Sequence, residues 1–176
     1  MMAHMEAILV DLSRIAAARA RLTAVTPMKT DCGRLCGAAC CQPDEDGMGG
    51  MYLFPGEENL IEAAAWARVE EEPNGPGEAG AKLLSCAGQC DREKRPLACM
   101  LFPLSPFFDG AGRVDVRLDA RARPICPLAR GKRSGLSDAF VTAARAAMAL
   151  IAEDEEGAAF LADWQRIEAQ YRNYRL

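Results

Sequence analysis

The stretch DCGRLCGAACC, residues 31–41, holds four of the chain's eight cysteines, and the rest is read outward from it. Cys32, Cys36 and Cys40 recur at four-residue steps, and Cys41 follows directly. On a helical turn, residues i and i+4 share a face, so these three thiols would line one side of it. Alternatively, Gly33 and Gly37, lacking Cβ atoms, let the backbone curl around a central ion. Either arrangement brings several sulfurs toward one point.

A second group lies downstream in LLSCAGQCDREKRPLAC, residues 83–99, with Cys86, Cys90 and Cys99. Cys126 follows in RPICPLA. No C-x-x-C occurs, which argues against a thioredoxin-type dithiol. A plain zinc ribbon is weakened too, although knuckle spacings of two to four residues occur in zinc sites.

Compartment decides what such thiols do. The start, MMAHMEAILVDLSRIAAARARL, has no basic opening followed by a clean apolar core, and Glu6, Asp11 and Arg14 interrupt it. The expectation is a cytoplasmic protein with reduced thiols, where clustered cysteines bind metal or do redox work rather than form disulfides. Multiple thiolates suit a soft cation. Zinc takes four in a tetrahedron, and iron–sulfur clusters such as [4Fe–4S] also use four, some motifs ending in Cys-Pro as Cys126-Pro127 does here. Eight cysteines equal two four-ligand sites, or one site with thiols left over. Either filling leaves negative charge, and Arg34, Arg92, Lys94, Arg95 and Arg123 lie within a few residues of a cysteine.

The chain has 176 residues and a net charge of −4, which suits one domain, residues 1–176, and offers no basic footprint for nucleic acid. No apolar run approaches the ~20 residues a membrane helix needs. The single histidine, His4, cannot anchor a Ser/His/Asp set or a mixed Cys/His finger. GMGGM at 47–51 lacks the lysine of a phosphate loop and reads as a turn. The metal ion is the one partner the residues point to; nothing singles out a protein partner.

Periodicity places the cysteines among helices at both ends. Residues 4–22 read as an amphipathic helix through Met5, Ile8, Leu9, Leu12, Ile15 and Leu22, stopped by Pro27. MYLF is a short extended segment before the Pro55-Gly56 turn, and a second helix is expected over 57–70. EEPNGPGEAG reads as a loop. RVDVRLD alternates cleanly as a half-buried strand, pairing in a hairpin with residues 104–108, themselves an edge strand because of their proline. Ser137 is the expected N-cap of a helix with Phe140, Val141, Ala144, Met148 and Ile151 inward. A break at Asp154–Gly157 precedes a last stripe of Phe160, Leu161, Trp164, Ile167 and Tyr171. Trp66 and Trp164 read as core. The expected class is mainly α: a small α+β domain with terminal helices around an irregular cysteine-rich, metal-binding middle and a minor β-hairpin.

With CGRLCGAACC at 32–41, LFPGEE at 53–58 and RPLACMLFPL at 95–104 in view, the chain resembles bacterial cysteine-cluster proteins described as zinc- or iron-chelating domains, named for a CxxCxxCC signature. The gaps in the first cluster are one residue longer than that signature. Met100 stands where such proteins carry arginine. The resemblance covers about the central hundred residues and implies that the eight cysteines, Cys126 included, form one or more metal sites. It brings no settled reaction. A related cluster in flagellin lysine methylases keeps an enzymatic role, such as methyl or group transfer, open alongside electron transfer. For a catalytic zinc, Glu57 and Glu58 are the carboxylate candidates, against their plainer reading as acids in a helix's first turn.

Overall fold

The computed structural model describes residues 11–42, 50–61, 67–77, 80–86, 90, 92–130 and 135–173. Helix α1 spans Leu12–Thr23, and the Asp11 carboxylate caps it by accepting the Ser13 N–H at 2.9 Å. Ile15, Ala18 and Leu22 form its buried stripe. The expected start at residue 4, with His4, Met5, Ile8 and Leu9, lies outside the described residues. Beyond the helix, the Pro27 carbonyl accepts the Ser137 N–H at 2.8 Å, tying the chain after α1 to the helix that Ser137 caps.

That helix is α4, Asp138–Ala152, with Phe140, Ala144, Ala147, Met148 and Ile151 buried. It breaks where expected. The Asp154 carboxylate accepts the Gly157 N–H at 3.0 Å, and α5 runs Glu155–Asn173. Gly157 permits the tight return, since a Cβ there would sit 2.2 Å from the Ile151 carbonyl. On α5, Phe160, Leu161, Trp164 and Ile167 are buried, but Tyr171 is 47% exposed and leaves the expected stripe. Phe54 completes an aromatic group, its ring 5.1 Å from Phe160 and 5.7 Å from Trp164.

The alternation of RVDVRLD gives a strand as expected. Strand β5, Val114–Leu118, pairs antiparallel with β4, Leu104–Phe108, from Leu104↔Leu118 to Phe108↔Val114. Its outer face is held by ion pairs: Arg145 meets Asp115 at 2.7 Å, and Arg117 meets the buried Glu168 of α5 at 2.6 Å.

The mainly α expectation is corrected by a second sheet. Strands β1 (Met51–Tyr52), β2 (Ala67–Glu72) and β3 (Ala81–Cys86) form an antiparallel sheet in the order β1-β3-β2. The chain is mixed α+β with two small sheets. The helix expected over 57–70 is instead a single 3-10 turn at Glu57–Leu60, with β2 beginning at Ala67; residues 62–66, Trp66 among them, lie outside the described residues. ARVEEE misleads for a physical reason. Glutamate is depleted in strands, and β2 is largely exposed with Val69 40% in the open, so no alternation marks it. The irregular middle thus contains a sheet, and Cys86 ends its central strand. No helix among the described residues is long and apolar enough to cross a membrane.

Candidate metal centre

The first cysteine cluster resolves the choice left by its spacing. Helix α2 is a single turn, Gly33–Cys36, placing Cys32 at its cap and Cys36 at its end. Gly37 (φ 63°) and Ala38 (φ 57°) then take left-handed conformations, and a 3-10 turn at Ala39–Cys41 follows. The backbone curls, so Cys32, Cys36 and Cys40 do not share one helix face. Glycine at 37 supplies that reversal without strain. Ala38 carries a left-handed backbone that non-glycine residues seldom adopt. The turns are closed by Ala38 N–H to the Gly33 carbonyl at 2.9 Å and Cys41 N–H to the Ala38 carbonyl at 2.8 Å. The Cys36 thiol points back to the Cys32 carbonyl at 3.9 Å.

The other four thiols arrive from four separate places. Cys86 ends β3, and Cys90 follows outside regular structure. Cys99 lies on α3, Leu97–Leu101, which is capped at a distance. The buried Glu57 carboxylate accepts the Leu97 N–H at 2.6 Å and the Phe54 N–H at 3.2 Å. Cys126 precedes the 3-10 turn Pro127–Ala129, its N–H donating to the Ala122 carbonyl at 2.7 Å. Cys126 is buried, Cys40 exposed, and the other six lie between.

These segments enclose two adjoining cavities, and together all eight cysteines line them. Cys32, Cys36 and Cys126 line only the first, whose surround includes Leu22, Met100 and Leu128. Cys41, Cys86 and Cys90 line only the second, beside Met51, Leu84 and Pro96. Cys40, Cys99, Arg95 and Phe102 stand in both walls. No disulfide joins any of the eight. Among the described residues, no three His, Cys, Asp or Glu side chains are gathered closely enough to hold an ion as they stand. Holding one therefore requires the thiols to turn inward, each about its single χ1 bond.

The electrostatics favour thiolates at one point. Cys40 and Cys41 lie 4.0 Å apart through their sulfurs. The hydrogen bond from Cys40 lowers the Cys41 thiol to about 6, aided by the positive charge of Arg95, while Cys40 is raised by the same partner. Burial pushes the Cys90 and Cys99 thiols up. Of the cations near cysteines in sequence, Arg95 is the one that lines the cavities; Arg34, Lys94 and Arg123 do not, and the Arg92 side chain lies outside the described part. Arg95 is also the only charged residue lining either cavity among the described residues, and its Nε is buried with no hydrogen-bond partner.

Glu57 has a different place from the one its sequence position suggests. Burial raises its carboxyl to about 7 against the pull of the two backbone N–H groups. Both its oxygens are engaged in bracing α3 against the Phe54–Gly56 turn, so it supports Cys99 rather than facing the cavities. Glu58 lines neither cavity. Sequence spacing found the thiols; it did not single out Arg95 from its basic neighbours, nor Phe102, which lines both cavities.

No family model, curated protein or solved structure matches the chain.

Proposed function

We propose that the protein binds metal through its clustered cysteine thiolates, with zinc as the resident ion in one or two sites. The observation that carries this is the lining of two adjoining cavities by all eight cysteines, drawn from five separate segments. Thiols scattered as packing residues have no reason to face the same voids. Among the described residues the donor set is uniform, soft and without histidine or carboxylate in the walls, which suits zinc closed by thiolates rather than an open catalytic ion with a base beside it. Glu57, the best carboxylate for catalysis, is committed to backbone N–H groups. The resemblance of the cysteine pattern to chelating domains supports the same reading. The site then serves structure: it ties α2, the 3-10 turn at Ala39–Cys41, the end of β3, the segment at Cys90, α3 and the Cys126 turn together.

One feature favours an iron–sulfur cluster instead, the Cys126-Pro127 pair at a cavity wall. Thiol protection tests the proposal. Protein purified without oxygen is alkylated with iodoacetamide before and after chelation, and the cysteine peptides are weighed. The expected result is cysteines shielded before chelation and modified after it, with zinc released. Full alkylation of all eight thiols without chelation would overturn the proposal, and release of iron with sulfide would replace zinc by a cluster.

A further inference from the structure

We infer that the eight thiols divide into two four-cysteine ion sites with a common wall: Cys32, Cys36, Cys40 and Cys126 around one ion, Cys41, Cys86, Cys90 and Cys99 around the other. This deepens the metal-binding reading and rests on it. Six assignments follow from the cavities alone, three thiols being private to each. Only Cys40 and Cys99 border both. Three private thiols and one shared thiol complete a tetrahedron in each cavity, so the set closes with no cysteine left over.

The shared pair is assigned by its surroundings. Cys40 is carried on the same continuous curl as Cys32 and Cys36, closed by the Ala38 N–H to the Gly33 carbonyl at 2.9 Å, and it lines their cavity. Cys99 then completes the second set, beside Cys41, Cys86 and Cys90. Backbone geometry agrees. Cys40 and Cys41 sit on a 3-10 turn, where successive side chains diverge by a third of a rotation. Their sulfurs stay 4.0 Å apart at the wall the cavities share, and Cys40 borders the first cavity while Cys41 lines only the second. The Cys40-Cys41 peptide is thus the covalent joint between the two sites. The left-handed pair Gly37-Ala38 ahead of it swings the turn into the wall between the cavities. Arg95, in the same wall, serves both sites as the local positive charge.

The test is zinc stoichiometry of the full chain, loaded without oxygen and freed of excess zinc by gel filtration. The unchanged protein should retain about two zinc ions per chain, four thiolates to each. Doubly substituted proteins then separate the sets. Cys36→Ser with Cys126→Ser, and likewise Cys86→Ser with Cys90→Ser, should each keep one ion. Cys36→Ser with Cys90→Ser should keep none. Cys40→Ser should behave as a member of the first set and Cys99→Ser as a member of the second. A measurement on the unchanged chain guards against variants that fail to fold: at one zinc equivalent, alkylation mapping should show four protected cysteines from one set. Retention of a single zinc, or protection that crosses the sets, would overturn the partition while leaving metal binding intact. A chain that takes up no zinc at all overturns the zinc reading of the previous section as well as the partition.

Discussion

The Glu57 carboxylate and the Leu97 backbone meet at 2.6 Å across 40 positions of sequence. Helix α3 begins after Pro96, which has no side chain to cap it, so Glu57 supplies the missing acceptor from a distant turn. Its second oxygen holds the Phe54 N–H of that turn. Cys99 rides on the helix so fixed, and Phe54 is packed against Phe160 and Trp164. The site is therefore joined to the aromatic core through one buried acid.

Removing that acid should be costly. Glu57→Ala leaves two buried N–H groups without acceptors, a loss of roughly 2–6 kcal/mol at about 1–3 for each. Glu57→Gln keeps one of the two acceptor oxygens and should cost about half as much. Urea denaturation midpoints at constant m-value compare the two. Equal stability of Glu57→Ala and the unchanged protein would show that the cap contributes nothing.

The same carboxyl makes stability depend on pH. Its folded value, about 7, stands above the ordinary 4.5, so the folded state holds the proton more tightly. Its favourable contribution is complete below 4.5 and lost as pH rises through about 7. Relative to Glu57→Gln, the unchanged protein should lose stability over that interval and run parallel above it. Denaturation curves for both proteins at several pH values in one buffer series check the sign. A difference that grows in favour of the unchanged protein as pH rises would contradict it.

Arg95 should govern affinity rather than folding. As the only charged residue in either cavity wall among the described residues, it offsets the charge left by thiolates around a dication. Arg95→Met should weaken zinc binding by about 10–100-fold, the usual range for outer-shell partners. Arg95→Lys should recover part of it by keeping the charge. Competition with a chromophoric chelator measures this, and unchanged affinity in Arg95→Met would remove the residue from the site.

Glu168 tests the support beside Cys126, since it holds the Ala120–Ala122 turn whose last carbonyl accepts the Cys126 N–H. Fully buried, it accepts from the Ala120 N–H at 2.9 Å and pairs with Arg117 at 2.6 Å and Arg172 at 2.7 Å. Glu168→Ala strands two guanidinium groups and a buried N–H, at a cost of about 3 kcal/mol. Because the Ala122 carbonyl of the same turn accepts the Cys126 N–H, the loss of stability should be accompanied by weaker zinc retention. Calorimetry together with metal analysis measures the two effects.

What the sequence discloses follows from where each signal is local. Ile15, Leu22, Phe140, Met148 and Trp164 announce their helices because one face of each is buried and the period survives. Val114, Val116 and Leu118 announce β5 for the same reason at period two. Strand β2 stays hidden because its side chains are largely exposed, leaving only glutamates that argue for helix. Strand β3 stays hidden too, because the loop-forming run NGPGEAG stands just ahead of it and the second cysteine group just after. The cysteines declared themselves by spacing alone, but their division between cavities depends on the left-handed turn at Gly37-Ala38 and on α3, held by an acid 40 residues away. Glu57 misled for a related reason: first-turn position does not reveal that both oxygens are taken by backbone groups elsewhere.

The central claim is that these thiols hold metal, and elemental analysis tests it most directly. The chain is purified without oxygen from cells supplied with both zinc and iron, and each is counted per chain. The account predicts about one or two zinc and no iron. About four iron per chain, or no metal of either kind, would contradict it.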